Sequence, residues 1–110
     1  METNKFSNIT ETEYVETLKL ERHLYKWCLS GIGKMSEQDA EMHANNFYKY
    51  EDDTNIYRDL VFHDTSWHWA MLKILGDHYW VKYPNYKAQS EDYNKEYINF
   101  TKKHSPDNNT

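Results

Sequence analysis

Leu60-Val61-Phe62-His63-Asp64-Thr65-Ser66-Trp67-His68-Trp69-Ala70-Met71-Leu72-Lys73-Ile74-Leu75-Gly76-Asp77-His78-Tyr79-Trp80 is the stretch whose reading decides the fold. It holds three of the four Trp and three of the six His, in a chain with a mean hydropathy of −1.07. With the rest so polar, the core must be built around it. Its apolar side chains cover most of a helical circumference, the pattern of a helix surrounded by others. Two readings compete at Asp64-Thr65-Ser66: the helix runs through, or it breaks and restarts with Thr65 or Ser66 as a new cap. The continuous reading is preferred, which gives a central, kinked apolar helix at about 56–80.

Outward from that stretch the signals are local. Thr10-Glu11-Thr12-Glu13 is a capping box, in which hydroxyl and carboxylate each satisfy a free backbone N–H. Tyr14, Leu18, Tyr25 and Cys28 then follow on one helical line, with Val15, Leu24 and Trp27 beside it. Gly31 and Gly33 supply a stop, since glycine takes the left-handed conformation without penalty. This predicts a helix over 11–30. Ser36 caps a second, over 37–50, with Glu37 and Asp39 in its first turn. Pro84 pushes Tyr83 out of the helical region, and a last helix is predicted over 86–103. Two Pro and three Gly in 110 residues argue against a turn-rich β protein. The fold class is all-α: a compact four- to five-helix bundle forming one domain, 1–110, with flexible ends at 1–9 and 104–110. Leu18, Leu24, Phe47, Leu60, Trp67, Met71, Leu72, Ile74 and Ile98 are its expected core.

A domain of this size buries under about 70% of its unfolded surface, so its core is thin. Aromatic residues make up 16% of the chain, ten of them Tyr and four Trp. A disordered chain is poor in such residues, and each buried ring removes about 150–250 Å² from water. Fourteen Tyr and Trp cannot all fit in a small core, so some must lie on the surface.

Charge is unevenly spread over a net of −5. Residues 36–64 carry eight carboxylates against Lys49 and Arg58, while residues 82–103 carry five Lys against three carboxylates. Nucleic-acid backbones need a basic face, so direct nucleic-acid binding is disfavoured. An acidic face suits a basic protein partner, including one that normally binds DNA; the plainer reading is a solvated surface. Cys28 stands alone, which excludes an intramolecular disulfide and a thiolate zinc site. Met1-Glu2-Thr3-Asn4-Lys5 lacks the basic start and apolar run of a signal peptide. No segment approaches the roughly 18 apolar residues of a membrane span. The expected compartment is the cytoplasm, with no membrane contact.

Three kinds of chemistry are open. The first is a metal site. Asp64 and His68 are four apart and share a helical face, Asp77-His78 follows, and His43 or His23 can approach from another helix. Imidazole and carboxylate suit zinc, manganese or iron. The phrase Leu60-Val61-Phe62-His63-Asp64 resembles the metal-binding step of the HD phosphohydrolases. That resemblance implies an all-helical, metal-dependent phosphohydrolase with an upstream His and a downstream Asp, places that His43 and Asp77 would fill. Trp67 and Trp69 stand where that family has small residues, and no Gly-Lys follows the His-Asp.

The second is metal-free acid–base catalysis, for which carboxylates and His are plentiful but no nucleophile elbow, P-loop or dinucleotide glycine motif is present. The third is binding. Tyr and Trp are the residues of interface hot spots, and exposed rings in a cluster mark a partner or homodimer surface. Tyr48, Tyr50 and Tyr57 flank the acidic run Glu51, Asp52 and Asp53, and these six residues are the expected partner-binding set. The sequence points to a non-catalytic regulator, adaptor or inhibitor without a cofactor. It acts through an acidic, Tyr/Trp-rich surface on a protein partner, with mimicry of DNA as one form of that action. The runner-up is the HD-like hydrolase, with His43, His63, Asp64, His68 and Asp77 as its metal set.

Overall fold

In the computed structural model, residues 9–104 are described. Thr10 forms the capping box its sequence promises: its hydroxyl accepts from the Glu13 N–H at 3.1 Å, and the Glu13 carboxylate accepts from the Thr10 N–H at 2.8 Å. Helix α1, Glu11–Gly31, starts there. Ser36 caps α2, Glu37–Phe47, by accepting from the Asp39 N–H. The remaining helices are α3, Ser66–Leu75, α4, Tyr79–Lys82, and α5, Glu91–His104, with 3-10 turns at Leu60–His63 and Pro84–Tyr86. No strand occurs among the described residues, so the all-α bundle of five helices is the fold. The expected flexible ends lie outside the described residues, apart from Ile9 and His104.

The helix expected at 56–80 is instead three pieces, and the alternative reading of a break at Asp64 is the one realised. Asp64 is extended (φ −124°, ψ 164°), and its carboxylate accepts from the Thr65 N–H. Thr65 then caps α3, taking the His68 N–H on its hydroxyl at 3.1 Å. Short polar side chains here satisfy the backbone better than a continued helix would. The stop is Gly76, at φ 92° and ψ −178°, a region open essentially to glycine alone. Two tryptophans tie the irregular pieces back to α3. Trp69 donates its indole N–H to the Val61 carbonyl, and Trp67 donates to that of Tyr86.

The centre of the bundle is α1, which packs against α2, α3 and α5. It contributes Tyr14, Leu18, Leu24, Tyr25, Cys28 and Leu29 to the core. Ala40, Ala44 and Tyr48 come from the α2 side, Trp67, Ala70 and Met71 from α3, Tyr79 from α4 and Tyr93 from α5. Leu18, Leu24, Trp67 and Met71 are buried as expected, and Leu72 and Ile74 are half-buried. Leu60, Phe47 and Ile98 are exposed, contrary to expectation. Leu60 sits on a 3-10 turn, Phe47 ends α2 at the surface, and Ile98 lies on the outer face of α5. Six of the fourteen Tyr and Trp are buried.

Both outer helices are shorter than predicted. The second ends at Phe47, where Tyr48 leaves the helical region (φ −104°, ψ 59°). The last begins only after Ser90, whose hydroxyl accepts from the Tyr93 N–H. At the end of α1 it is Lys34 that turns left-handed (φ 61°), not Gly31 or Gly33.

Candidate functional site

Residues 48–59 form a loop that, the buried Tyr48 apart, is largely exposed yet heavily tied. Asp52 accepts from both the N–H and the hydroxyl of Thr54, and Asn55 accepts from the Tyr57 N–H. These side-chain turns give the segment local structure without a helix. The same bonds hold the Asp52 carboxyl below its usual range.

Arg58 then locks the loop to α1. Its guanidinium donates to the Glu51 carbonyl at 2.9 Å and to the Glu11 carboxylate at 2.7 Å, and it lies 3.8 Å over the Tyr14 ring. The Tyr14 hydroxyl accepts from the Glu51 N–H, and Tyr50 donates to Glu11 at 2.7 Å. Hydrogen bonds from Tyr50, and after it Arg58, keep the Glu11 carboxyl below its ordinary value. Between loop and helix lies a cleft of about 280 Å³, lined among others by Ile9, Glu11, Asp53, Ile56, Arg58 and Asp59.

Of the six expected binding residues, Tyr50, Glu51, Asp52, Asp53 and Tyr57 are exposed on this loop. Tyr48 is not available: it is 1% exposed. Its carbonyl accepts from Arg22, and its ring packs against Tyr25 and Phe47. Asp52 is exposed but shapes the turn, so its carboxylate is already engaged. Ile56, Leu60 and Asp59 join the surface from outside the six residues that the sequence marks. Their partner in organising it, Arg58, was legible only as one of two cations in an acidic segment, since its contacts reach 47 residues back along the chain.

The His/Asp set does not assemble. Among the described residues, no group of three His, Cys, Asp or Glu is placed to hold a metal ion. Asp64 and His68 do meet, at 3.6 Å, and the other ring nitrogen of His68 lies 2.9 Å from the Tyr79 hydroxyl. His43 lines a separate groove, and His63 and Asp77 are exposed in the segments that flank α3. Burial, with a smaller contribution from Asp64, raises the Tyr79 hydroxyl above its ordinary value, which disfavours it as a base. Burial also pushes the Cys28 thiol up to about 12, leaving it a neutral hydrophobe at physiological pH.

One half-buried carboxyl, with an oxygen shut off from solvent, has a shifted pKa. Glu21 occupies the apolar line of α1 between Leu18 and Tyr25, a visible signal in the sequence. It faces Ser66, whose hydroxyl pairs with that of Tyr93 at 2.8 Å. Burial raises the Glu21 pKa, and hydrogen bonding from the Ser66 side chain and N–H opposes the rise. A carboxyl raised in the folded state favours its protonated form there. Its stabilising contribution is therefore complete below the ordinary value of 4.5 and is lost as pH rises through the folded-state value. Glu21→Gln keeps the acceptor and removes the titration. Urea midpoints from about pH 4 to about pH 8 should decline for the native chain and decline less for the variant. Parallel curves would place the charged carboxylate comfortably in the core.

No protein-family model, no curated protein and no solved structure matches this chain.

Proposed function

We propose that this chain is a small, non-catalytic binding protein, a regulator, adaptor or inhibitor acting in the cytoplasm on a basic protein partner. The supporting observation is the loop 48–59. It holds Tyr50, Ile56, Tyr57 and the adjoining Leu60 exposed beside Asp53 and Asp59, and it is braced from within by Arg58. Apolar side chains kept at the surface by a preorganised loop lose little entropy on docking. Within the cleft, Ile9 and Ile56 suit the aliphatic stem of a Lys or Arg, and Asp53 and Asp59 its charge. A partner that normally holds nucleic acid has that chemistry, and the DNA-mimic form of the proposal rests on it. No helix among the described residues is long and apolar enough to cross a membrane.

The test reverses charge without disturbing the turn, so Asp52 is left alone and Glu51→Lys is combined with Asp53→Lys. The variant should fold with an unchanged circular dichroism spectrum. Native and variant chains are used as paired baits, and the partner captured by the native chain is then studied kinetically. Association should slow by about tenfold or more at low salt and lose much of its salt dependence, with dissociation less affected. A partner captured equally well by both, with the same association rate, would remove the acidic loop from the function.

A further inference from the structure

Helices α2 and α3 both pack on α1 but make little contact with each other. The consequence is a groove of about 460 Å³ between them, on a different part of the surface from the acidic cleft. Its walls are rings already packed together. Phe47 stacks on Tyr25 at 5.0 Å with planes 9° apart, and Trp69 lies 5.6 Å from Phe47. Leu72 completes the apolar lining. Phe47 remains 39% exposed although it packs against three rings, those of Tyr25, Tyr48 and Trp69. A rigid aromatic surface of this kind supplies contact area at little entropic cost.

The rim sets the groove apart from the rest of the molecule. Its polar groups are His43 and Asn46 of α2 and Lys73 of α3, and no carboxylate lines it, although the chain as a whole carries a net charge of −5. Of the acids of α2, Glu37 and Glu41 face Lys26 of α1, at 3.3 and 3.9 Å, and Asp39 is exposed in the first turn. Lys73 is exposed and forms no ion pair among the described residues.

We propose that this groove is a second docking site, one that takes an acidic peptide segment carrying a large apolar side chain between carboxylates. The apolar side chain lies against Phe47, Trp69 and Leu72, and the flanking carboxylates meet Lys73 and the donors of His43 and Asn46. The site is independent of the acidic loop and has the opposite charge preference. A chain with both would bridge a basic partner and an acidic one, which is the adaptor form of the function.

The probe is a blocked hexapeptide, Glu-Glu-Leu-Phe-Glu-Glu, with a counterpart in which every Glu is Gln and another in which every Glu is Lys. Each is titrated into isotopically labelled protein, and backbone amide shifts are followed by nuclear magnetic resonance. The acidic peptide should shift amides of residues 43–47 and 69–73, while those of 51–59 stay in place. The Gln peptide should bind about three- to tenfold more weakly, the effect of one or two exposed ion pairs, and the Lys peptide should not bind there. Lys73→Glu, an exposed change, should weaken the acidic peptide by a similar factor with the amide spectrum otherwise intact. Absence of shifts, equal affinity for the acidic and Gln peptides, or shifts confined to another surface would each overturn the proposal. So would sedimentation showing a dimer that is broken by Phe47→Ala, because the groove would then be filled by a second copy.

Discussion

Leu24→Ala is expected to lower the stability of this domain by about 2–5 kcal/mol, and Leu72→Ala by clearly less. Leu24 is fully buried on α1, the helix against which α2, α3 and α5 all pack. Truncating it removes apolar contact and leaves a cavity bordered by several elements, none of which can collapse inward without giving up its seat on α1. Leu72 is half-buried at the open side of α3, where solvent and neighbouring side chains can take up the space. A domain of this size has only about 5–15 kcal/mol in total, so the Leu24 variant should be partly unfolded in mild urea. Urea midpoints of the two variants, measured side by side, decide the matter. A larger loss from Leu72→Ala would return the centre of the bundle to the Leu60–Trp80 stretch.

The caps Thr10 and Ser36 were legible because their hydrogen bonds close within three residues. The break at Asp64 was legible as an alternative for the same reason. The continuous reading draws its weight from Trp67 to Leu75, apolar on nearly every side, which is the pattern of a fully surrounded helix. The structure resolves the contradiction by leaving Trp69 and Leu72 half-buried in a groove.

The acidic loop was legible by composition, and Tyr50 and Tyr57 are exposed as expected. Tyr48, two residues from Tyr50, turns inward because it is the C-cap of α2, and Arg22 takes its carbonyl. No local pattern distinguishes the two tyrosines, since the deciding contact lies 26 residues away. Among the described residues the His and Asp side chains are not gathered into one metal-binding group. His43 lines the groove between α2 and α3, while His68 turns to Tyr79 and to Asp64; that last pair meets at 3.6 Å although Asp64 is extended and lies before α3, not on its helical face.

Gly33→Ala should be damaging, although its partner Gly31→Ala should be harmless. A Cβ at Gly33 would stand 2.6 Å from the Leu29 carbonyl oxygen and 3.1 Å from Cγ1 of Ile74. The first obstacle is backbone, and that oxygen already accepts from the Met35 N–H at 3.0 Å, the bond that turns the chain from α1 toward α2. Relief therefore requires moving the turn, displacing Ile74 on α3, or both. Overpacking typically costs about 1–3 kcal/mol, and a clash against backbone belongs at the upper end. For a domain near this size each kcal/mol lowers the thermal midpoint by about 4–8 °C. At Gly31 a Cβ meets nothing within 4 Å, and alanine at that helical position should be neutral or gain up to about 1 kcal/mol. Similar midpoints for the two variants would show that the turn is not closely packed against α3. If the Gly33 variant folds, the reoriented α2 should also disturb the amides of the groove at 43–47 and leave those of the Arg58-braced loop unchanged, because that loop is anchored on the opposite end of α1 through Glu11 and Tyr14.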